Sequence, residues 1–374
     1  MGRDMGREMK PTQPVMPEIE EYVKEISSIW DTGIMTNNGA KANQFKQMLM
    51  DYTGCGNIDL FVNGHSALMI AIQAMQLKGE VITSPFTFVS TTNAIIQSGL
   101  TPVFGDIDDT YNLSLESIRE LITEKTCAIV TPHIFGIPCD VDRIGEIADE
   151  FHLKVIYDGA QAFGTKVRGK SIGCFGDITM FSFHAIKIFN SIEGGMLSYQ
   201  DERLHQLFER YRNFGISYGE SGNDVDVVGI NAKMNEFQAA MGIVNLPYLD
   251  KEIKKRKRLA ETYCECFKDV QGIQTYSYND KIDYNYAYFP IKVLSEYGIS
   301  RDELWIKLKE HGIGTRKLYD KLTCDYNCYK NSGYLKRTKH ADEIKNIVLD
   351  LPLYGALEET DVCYVCETMK RLRR

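Results

Sequence analysis

The sequence predicts an α/β fold with a largely parallel sheet, and three observations carry that prediction. Short apolar runs alternate with segments of helical periodicity from Ile58 to Ser198. The strand-length runs are apolar almost throughout, as strands covered on both faces must be. A length of 374 residues suffices for one large α/β domain and a smaller one.

The elements follow in order. Met1 to Pro17 reads as a loose arm, rich in proline and without a period. Helical patterning follows over 18–30 and 40–52, separated by the turn-rich loop Asp31–Gly39. Strands are predicted over 58–63, 80–83, 102–106, 127–131, 154–157, 178–182 and 195–198, with helices over 66–77, 87–97, 115–122 and 141–151 between most of them. Beyond Gln200 the order changes. A helix is predicted over 201–213, then a Gly/Ser/Asp loop over 215–229. A long helix follows from Ala232 to about Lys268, interrupted near Pro247. From Tyr284 the pattern reads as strand (286–293), helix (300–311), strand (314–319), helix (336–346), strand (347–353) and helix (358–372). The division predicted is a large domain over 1–248 and a smaller C-terminal α/β domain over 249–374.

Composition excludes several classes. Charged residues are 25% of the chain and hydrophobic ones 44%, ordinary globular usage. The net charge of −8 argues against a nucleic-acid binder, whose footprint is basic. The basic run Lys251–Arg258 reads as the exposed face of a helix. No apolar stretch approaches the roughly 20 residues of a membrane span, and no signal-peptide core is evident. Ten cysteines without a secretory signal predict reduced thiols in a cytoplasm. The close pairs Cys264/Cys266, Cys324/Cys328 and Cys363/Cys366 lack finger-like spacing, so structural cysteine is expected and no metal.

The chemistry gathers at predicted strand ends, where open parallel sheets bind ligands. Asp158 ends one strand, with Gln161 three residues on. The next strand runs to Ser182 and opens onto His184 and Lys187, followed by Gly194-Gly195. A carboxylate closing a buried strand needs a partner. An acid there and a lysine beyond the neighbouring strand suit pyridoxal phosphate. The lysine forms a Schiff base with the aldehyde, and the aspartate keeps the pyridine nitrogen protonated. The freed amine then shuttles a proton between the amino-donor carbon and the cofactor. Asn63-Gly-His-Ser-Ala67 joins a strand to a helix N-terminus, a suitable seat for phosphate. Phe88 follows another strand end and can stack on a ring; its blander reading is a core phenylalanine. Asn231 by itself reads only as a helix cap.

Together these stretches resemble the DegT/DnrJ/EryC1/StrS family of sugar-nucleotide aminotransferases over nearly the whole chain. The resemblance is carried by Asn63–Leu68, Thr83–Phe88, Tyr157–Gln161, Ser182–Lys187, Glu193–Gly195, Gly229–Asn231 and Gly312–Arg316. It implies the type I aminotransferase fold, with a mostly parallel seven-stranded sheet. It implies that Lys187 bonds the cofactor, Asp158 pairs with the pyridine nitrogen, Gln161 lies near the ring oxygen and Phe88 stacks on the ring. Gly64, His65, Ser66 and Ser182 would hold the phosphate, and Asn231 would reach it across a homodimer interface. His65 stands where the family often has threonine, and Gly159 where alanine is usual. Dehydratase relatives carry histidine in place of the lysine, so Lys187 implies amino transfer. The runs Gly79–Asn93 and Asn190–Gly195 look closest to the branch that aminates C4 of dTDP-4-keto-6-deoxy-D-glucose with L-glutamate as donor.

Two other readings stay open. One is C3 amination of a 3-keto sugar, or use of a UDP- or GDP-sugar; the Asp31–Gly39 loop, His184, Asn190 and the segment from Arg316 to Tyr319 are the sugar-facing candidates. The other is a non-catalytic sensor of the same fold. That reading calls for loss of Lys187 or an added DNA-binding module, and neither is seen.

Overall fold

The computed structural model describes residues 8–219 and 222–373. Seven strands form the central sheet. Across it the order is Ile58–Phe61, Gly195–Tyr199, Ile178–Ser182, Lys154–Asp158, Thr126–Pro132, Glu80–Thr83 and Thr101–Phe104. Only Gly195–Tyr199 runs against the others, so six strands share one carboxyl edge. The sheet is buried from both sides, as the near-continuous apolar strands require. One face packs on the helix Gly64–Ala74, and its layer includes Ile70, Val130, Ile156 and Leu197. The other face holds Phe45, Ile82, Tyr157 and Phe181. On that side Phe163, Phe181, Phe183 and Phe189 meet edge-on or tilted at ring separations of 4.9–5.4 Å. This aromatic cluster fixes both ends of the turn that bears Lys187.

The predicted long helix breaks into Glu236–Asn245, a 3-10 turn at Leu246–Tyr248 and Leu249–Phe267. Pro247 causes the break, since proline cannot donate a backbone hydrogen bond. A second core then forms. The helices Leu249–Phe267 and Glu359–Leu372 pack beside a three-stranded antiparallel sheet, ordered Ile273–Thr275, Phe289–Val293, Val348–Leu351. The large core also draws in Tyr284, Tyr288, Tyr319 and Leu322 from this part of the chain.

Several expectations are corrected. Residues 314–319 form no strand; only Arg316 bridges Asp350. The segment 215–229 holds paired strands, Ile216–Gly219 and Gly222–Val225. The arm is not loose at Met9. Its side chain is buried in the second core, its N–H donates to the Gly312 carbonyl at 2.8 Å, and its own carbonyl accepts from Gly314 at 2.7 Å. The first seven residues of that arm lie outside the described residues. Arg256 departs from the exposed basic face. It is buried, pairs with Glu252 at 2.7 Å and donates to the Ala287 and Leu353 carbonyls. Charge alone hides this exception, because the apolar stem and fork of arginine can serve as a core strut.

Asp59 sits fully buried on an outer strand, among Lys46, Tyr199, His205 and Arg212. A carboxylate with His205 and Glu209 nearby has the makings of a metal set, but two cations already match its charge. Burial alone raises its pKa. The hydrogen bond from His205 and the charges of Arg212 and Lys46 outweigh this and hold it below the usual range. His205 is raised in return, chiefly by its bond to Asp59. Asp59→Asn should cost about 3–5 kcal/mol, read by denaturant unfolding, because the buried Arg212 is left without its buried partner. The pH dependence has two limbs. The Asp59 contribution is present above its ordinary pKa of about 3.9 and fades as pH falls through its depressed folded value. The His205 contribution is present below about 6.5 and fades as pH rises through its raised folded value. The stability gap between wild type and Asp59→Asn should therefore be widest between about pH 4 and 6.5.

Candidate active site

The parallel strands deliver Asn63, Phe88, Asp158 and Ser182 to one edge of the sheet. Asp158 ends its strand, buried. One carboxylate oxygen accepts from the Thr91 hydroxyl at 2.7 Å, the other from the Ala160 N–H at 3.0 Å. Burial pushes its pKa up; those two bonds and the Lys187 charge offset only part of the rise. A desolvated carboxylate with spare acceptor capacity wants a cation, and a pyridinium is one.

The helix Gly64–Ala74 begins beside Ser182. A Cβ on Gly64 would lie 2.8 Å from the Ser182 Cβ, so only glycine lets the helix end come this close. Asn63 caps the helix by accepting from the Ser66 N–H at 2.8 Å. Helical geometry leaves the Gly64 and His65 N–H groups without intrahelical partners, and the dipole favours an anion there. Gly64, His65 and Ser66 at the helix start thus lie beside Ser182. The His65 imidazole points elsewhere: Nδ1 meets the Ser90 hydroxyl at 2.9 Å and Nε2 the Gln97 amide oxygen at 3.2 Å. Its contribution to an anion is therefore the backbone N–H, while its ring ties this helix start to the helix Val89–Gln97. Phe88 precedes that helix and is 64% exposed, so it is no core phenylalanine.

Lys187 lies in the turn after Ser182, its N–H donating to the His184 carbonyl at 2.9 Å. Buried Phe183, Ile188 and Phe189 flank it. Its amine donates to the Tyr288 hydroxyl at 3.5 Å. Gln161 is already engaged: it accepts from the Phe135 N–H at 2.6 Å and donates to the Tyr319 hydroxyl at 2.5 Å. Arg316 lies over the Tyr288 ring, 5.0 Å from its centroid, and donates twice to Asp350.

The other candidates divide. His184 is half exposed and faces Glu193 at 3.4 Å. Asn190 is corrected: it is buried, donates to the Val15 carbonyl at 2.9 Å and packs on Asn245, so it presents nothing to a sugar. Asn231 is exposed, and its amide oxygen accepts from Lys233 at 2.9 Å. Among the described residues no hydrogen bond joins it to Lys187, Asp158 or Ser182 of its own chain. Sequence reasoning missed Thr91 and Tyr288. Thr91 sits one helical turn beyond Thr87, a spacing that gives no hint of Asp158. Tyr288 stands just before the strand Phe289–Val293 and reads as ordinary core.

Fold and site together define an enzyme built for pyridoxal phosphate: a lysine and a buried carboxylate at adjacent strand ends, beside a glycine-opened anion cradle. A family model for the DegT/DnrJ/EryC1/StrS aminotransferases matches residues 17–370, and the chain belongs to that family. It is thus a pyridoxal-phosphate-dependent aminotransferase of the type I fold. It is 37% identical to the dTDP-4-amino-4,6-dideoxy-D-glucose transaminase of Shigella dysenteriae, covering 97% of this chain and 98% of that one. It is 30% identical to the GDP-perosamine synthase of Escherichia coli O157:H7, covering 94% of each. Among solved structures, DesI with its TDP-sugar product superposes with a TM-score of 0.91 at 29% identity, covering 97% of this chain and 92% of that one. Among the described residues no helix is long and apolar enough to cross a membrane.

Proposed function

We propose that the enzyme transfers an amino group from L-glutamate to C4 of a nucleotide-linked 4-keto-6-deoxyhexose, with dTDP-4-keto-6-deoxy-D-glucose the favoured acceptor. The observation that carries amino transfer is Lys187 beside Asp158, on the edge that also holds the Gly64 cradle. The relative at 37% identity, named for the 4-amino-4,6-dideoxyglucose nucleotide, supports this acceptor over the GDP-sugar product of the relative at 30%.

When bound, pyridoxal phosphate supplies an aldehyde that captures amines and a ring that absorbs an electron pair. Gly64, His65, Ser66 and Ser182 would hold its phosphate, and Phe88 would lie against its ring. Asp158 keeps the proton on the pyridine nitrogen. Lys187 would hold the aldehyde end of the cofactor, and its amine, once free, would be the group that carries a proton there. Gln161 lies near the ring oxygen; Tyr319 and the Phe135 N–H fix its amide. His184 is the half-exposed side chain offered to the sugar, while Arg316 and Tyr319 are held by Asp350 and Gln161. Donor and acceptor use one site in turn, so double-reciprocal plots at several glutamate concentrations should be parallel. The deciding assay offers glutamate with a panel of 4-keto and 3-keto dTDP-, UDP- and GDP-sugars, followed by NMR of the product. Amination at C3, or preference for another nucleotide, would overturn the assignment.

We propose also that two copies complete the sites. Phe88, Ile186 and Ile192 near Lys187, and Phe214, Val225 and Val228 around the paired strands, are all exposed apolar side chains. Asn231 serves the partner's phosphate in this arrangement. Mixing the poorly active variants Lys187→Ala and Asn231→Ala should then restore activity, up to about a quarter of wild type, because half the reassorted dimers hold one intact site. No gain on mixing would refute sharing.

A further inference from the structure

Cys55 and Cys174 are 119 positions apart in sequence, yet their sulfurs lie 2.9 Å apart. Both are free thiols. Cys55 is buried in the turn that follows the helix Ala40–Thr53, where its N–H donates to Thr53 Oγ1 at 3.3 Å. Cys174 is partly exposed and ends the 3-10 turn Ile172–Cys174, which leads into the strand toward Lys187. Both turns are held. The Gly173 N–H donates to Ser171 at 3.3 Å, and its carbonyl accepts from Ser198 at 2.7 Å. An added Cβ on Gly173 would lie 3.2 Å from the Cys55 sulfur, so backbone as well as side chain closes on this thiol.

We propose that Cys55 and Cys174 are an oxidation site, closed to a reversible disulfide by a hydroperoxide. Neither thiol has a part in amino transfer, so the inference stands whichever sugar the enzyme takes. The two thiols differ in reactivity. The hydrogen bond from Cys55 and the nearby Lys170 bring Cys174 down to about 7, against an opposing effect of burial. The same bond and deeper burial push Cys55 up. Cys174 is the partly exposed thiol and Cys55 the buried one, so Cys174 is the one a hydroperoxide reaches. Its sulfur takes the terminal oxygen of the hydroperoxide, the O–O bond breaks, and the alcohol or water leaves. Cys55 sulfur then attacks the resulting sulfenic acid, the S–O bond breaks, and a second water departs. Two thiols are oxidised by two electrons, and one peroxide is reduced.

The bond joins groups that already touch, so turnover should stay within about twofold while the unfolded chain loses freedom across a long loop. The Tm should rise by several degrees and fall back with dithiothreitol. The experiment treats reduced, cofactor-loaded enzyme with hydrogen peroxide, then alkylates and digests it. The expected result is a mass loss of about 2 Da and linked peptides carrying Cys55 and Cys174. Cys55→Ala should stop at a Cys174 sulfenic acid that dimedone captures, and Cys174→Ser should leave Cys55 unoxidised. Cys266 lies within bonding reach of Cys363 and Cys366, and so offers a rival pairing. Recovery of Cys55 and Cys174 separately alkylated, with the oxidation found in that rival group or between chains, would overturn the proposal.

Discussion

Lys187→Ala should abolish glutamate-dependent amination, with turnover falling by at least about 10⁴-fold. Two roles disappear together. The amine would no longer hold the aldehyde end of the cofactor, nor carry the proton there. Tyr288 is the near neighbour, its buried hydroxyl 3.5 Å from the amine. Single-turnover kinetics with added pyridoxamine phosphate separate the roles. Recovery of the acceptor half reaction at wild-type speed would show that the proton carrier lies elsewhere. The fold should survive, since the amine makes one long hydrogen bond while Phe183, Ile188 and Phe189 anchor the turn.

Asp158→Asn should lower turnover by about 10²–10⁴-fold, the kinetic equivalent of the ~3–5 kcal/mol lost when a buried charge is stripped of its partner. Its stability signature should reverse with loading. In the cofactor-free protein burial raises the Asp158 pKa. A group raised in this way favours the fold below its ordinary pKa, and that advantage is lost as pH rises through the folded value. At neutral pH the carboxylate is then a liability, and asparagine relieves it, its amide oxygen accepting from the Ala160 N–H and its NH2 donating to the Thr91 hydroxyl. The loaded protein loses the pyridinium contact instead. Thermal unfolding at pH 7 should place the variant above wild type without cofactor and below it with cofactor. A variant less stable in both forms would mean that Asp158 serves mainly as a structural acceptor for Thr91 and Ala160.

All seven strands of the sheet were legible because a strand buried on both faces must be apolar along its length. The residues at their ends were legible for a related reason: a polar residue closing such a run stands out. Asp158 and Ser182 are of this kind. Where the signal comes from neighbours distant in the chain, the sequence is mute. Thr91 looks like any small helical residue until Asp158 is placed beside it. Asn190 looks like a polar loop residue, and its burial follows from Val15 and Asn245. Residues 314–319 carry the β-branched Thr315, Leu318 and an aromatic, yet only Arg316 finds a strand partner. His65 was read as a phosphate ligand from its position. Its ring instead answers to Ser90 and Gln97, on the next helix.

Met9 lies at the start of the chain and pairs with backbone at Gly312 and Gly314. During synthesis at roughly 5–20 residues per second, Met9 leaves the ribosome about 15–60 s before those partners exist. The large sheet can assemble in that interval, but the second core must wait for its first-made residue to meet its last-made elements. A nascent chain halted before Gly312 would therefore display the Met9 segment unburied, open to protease or to a chaperone, however complete the catalytic sheet behind it.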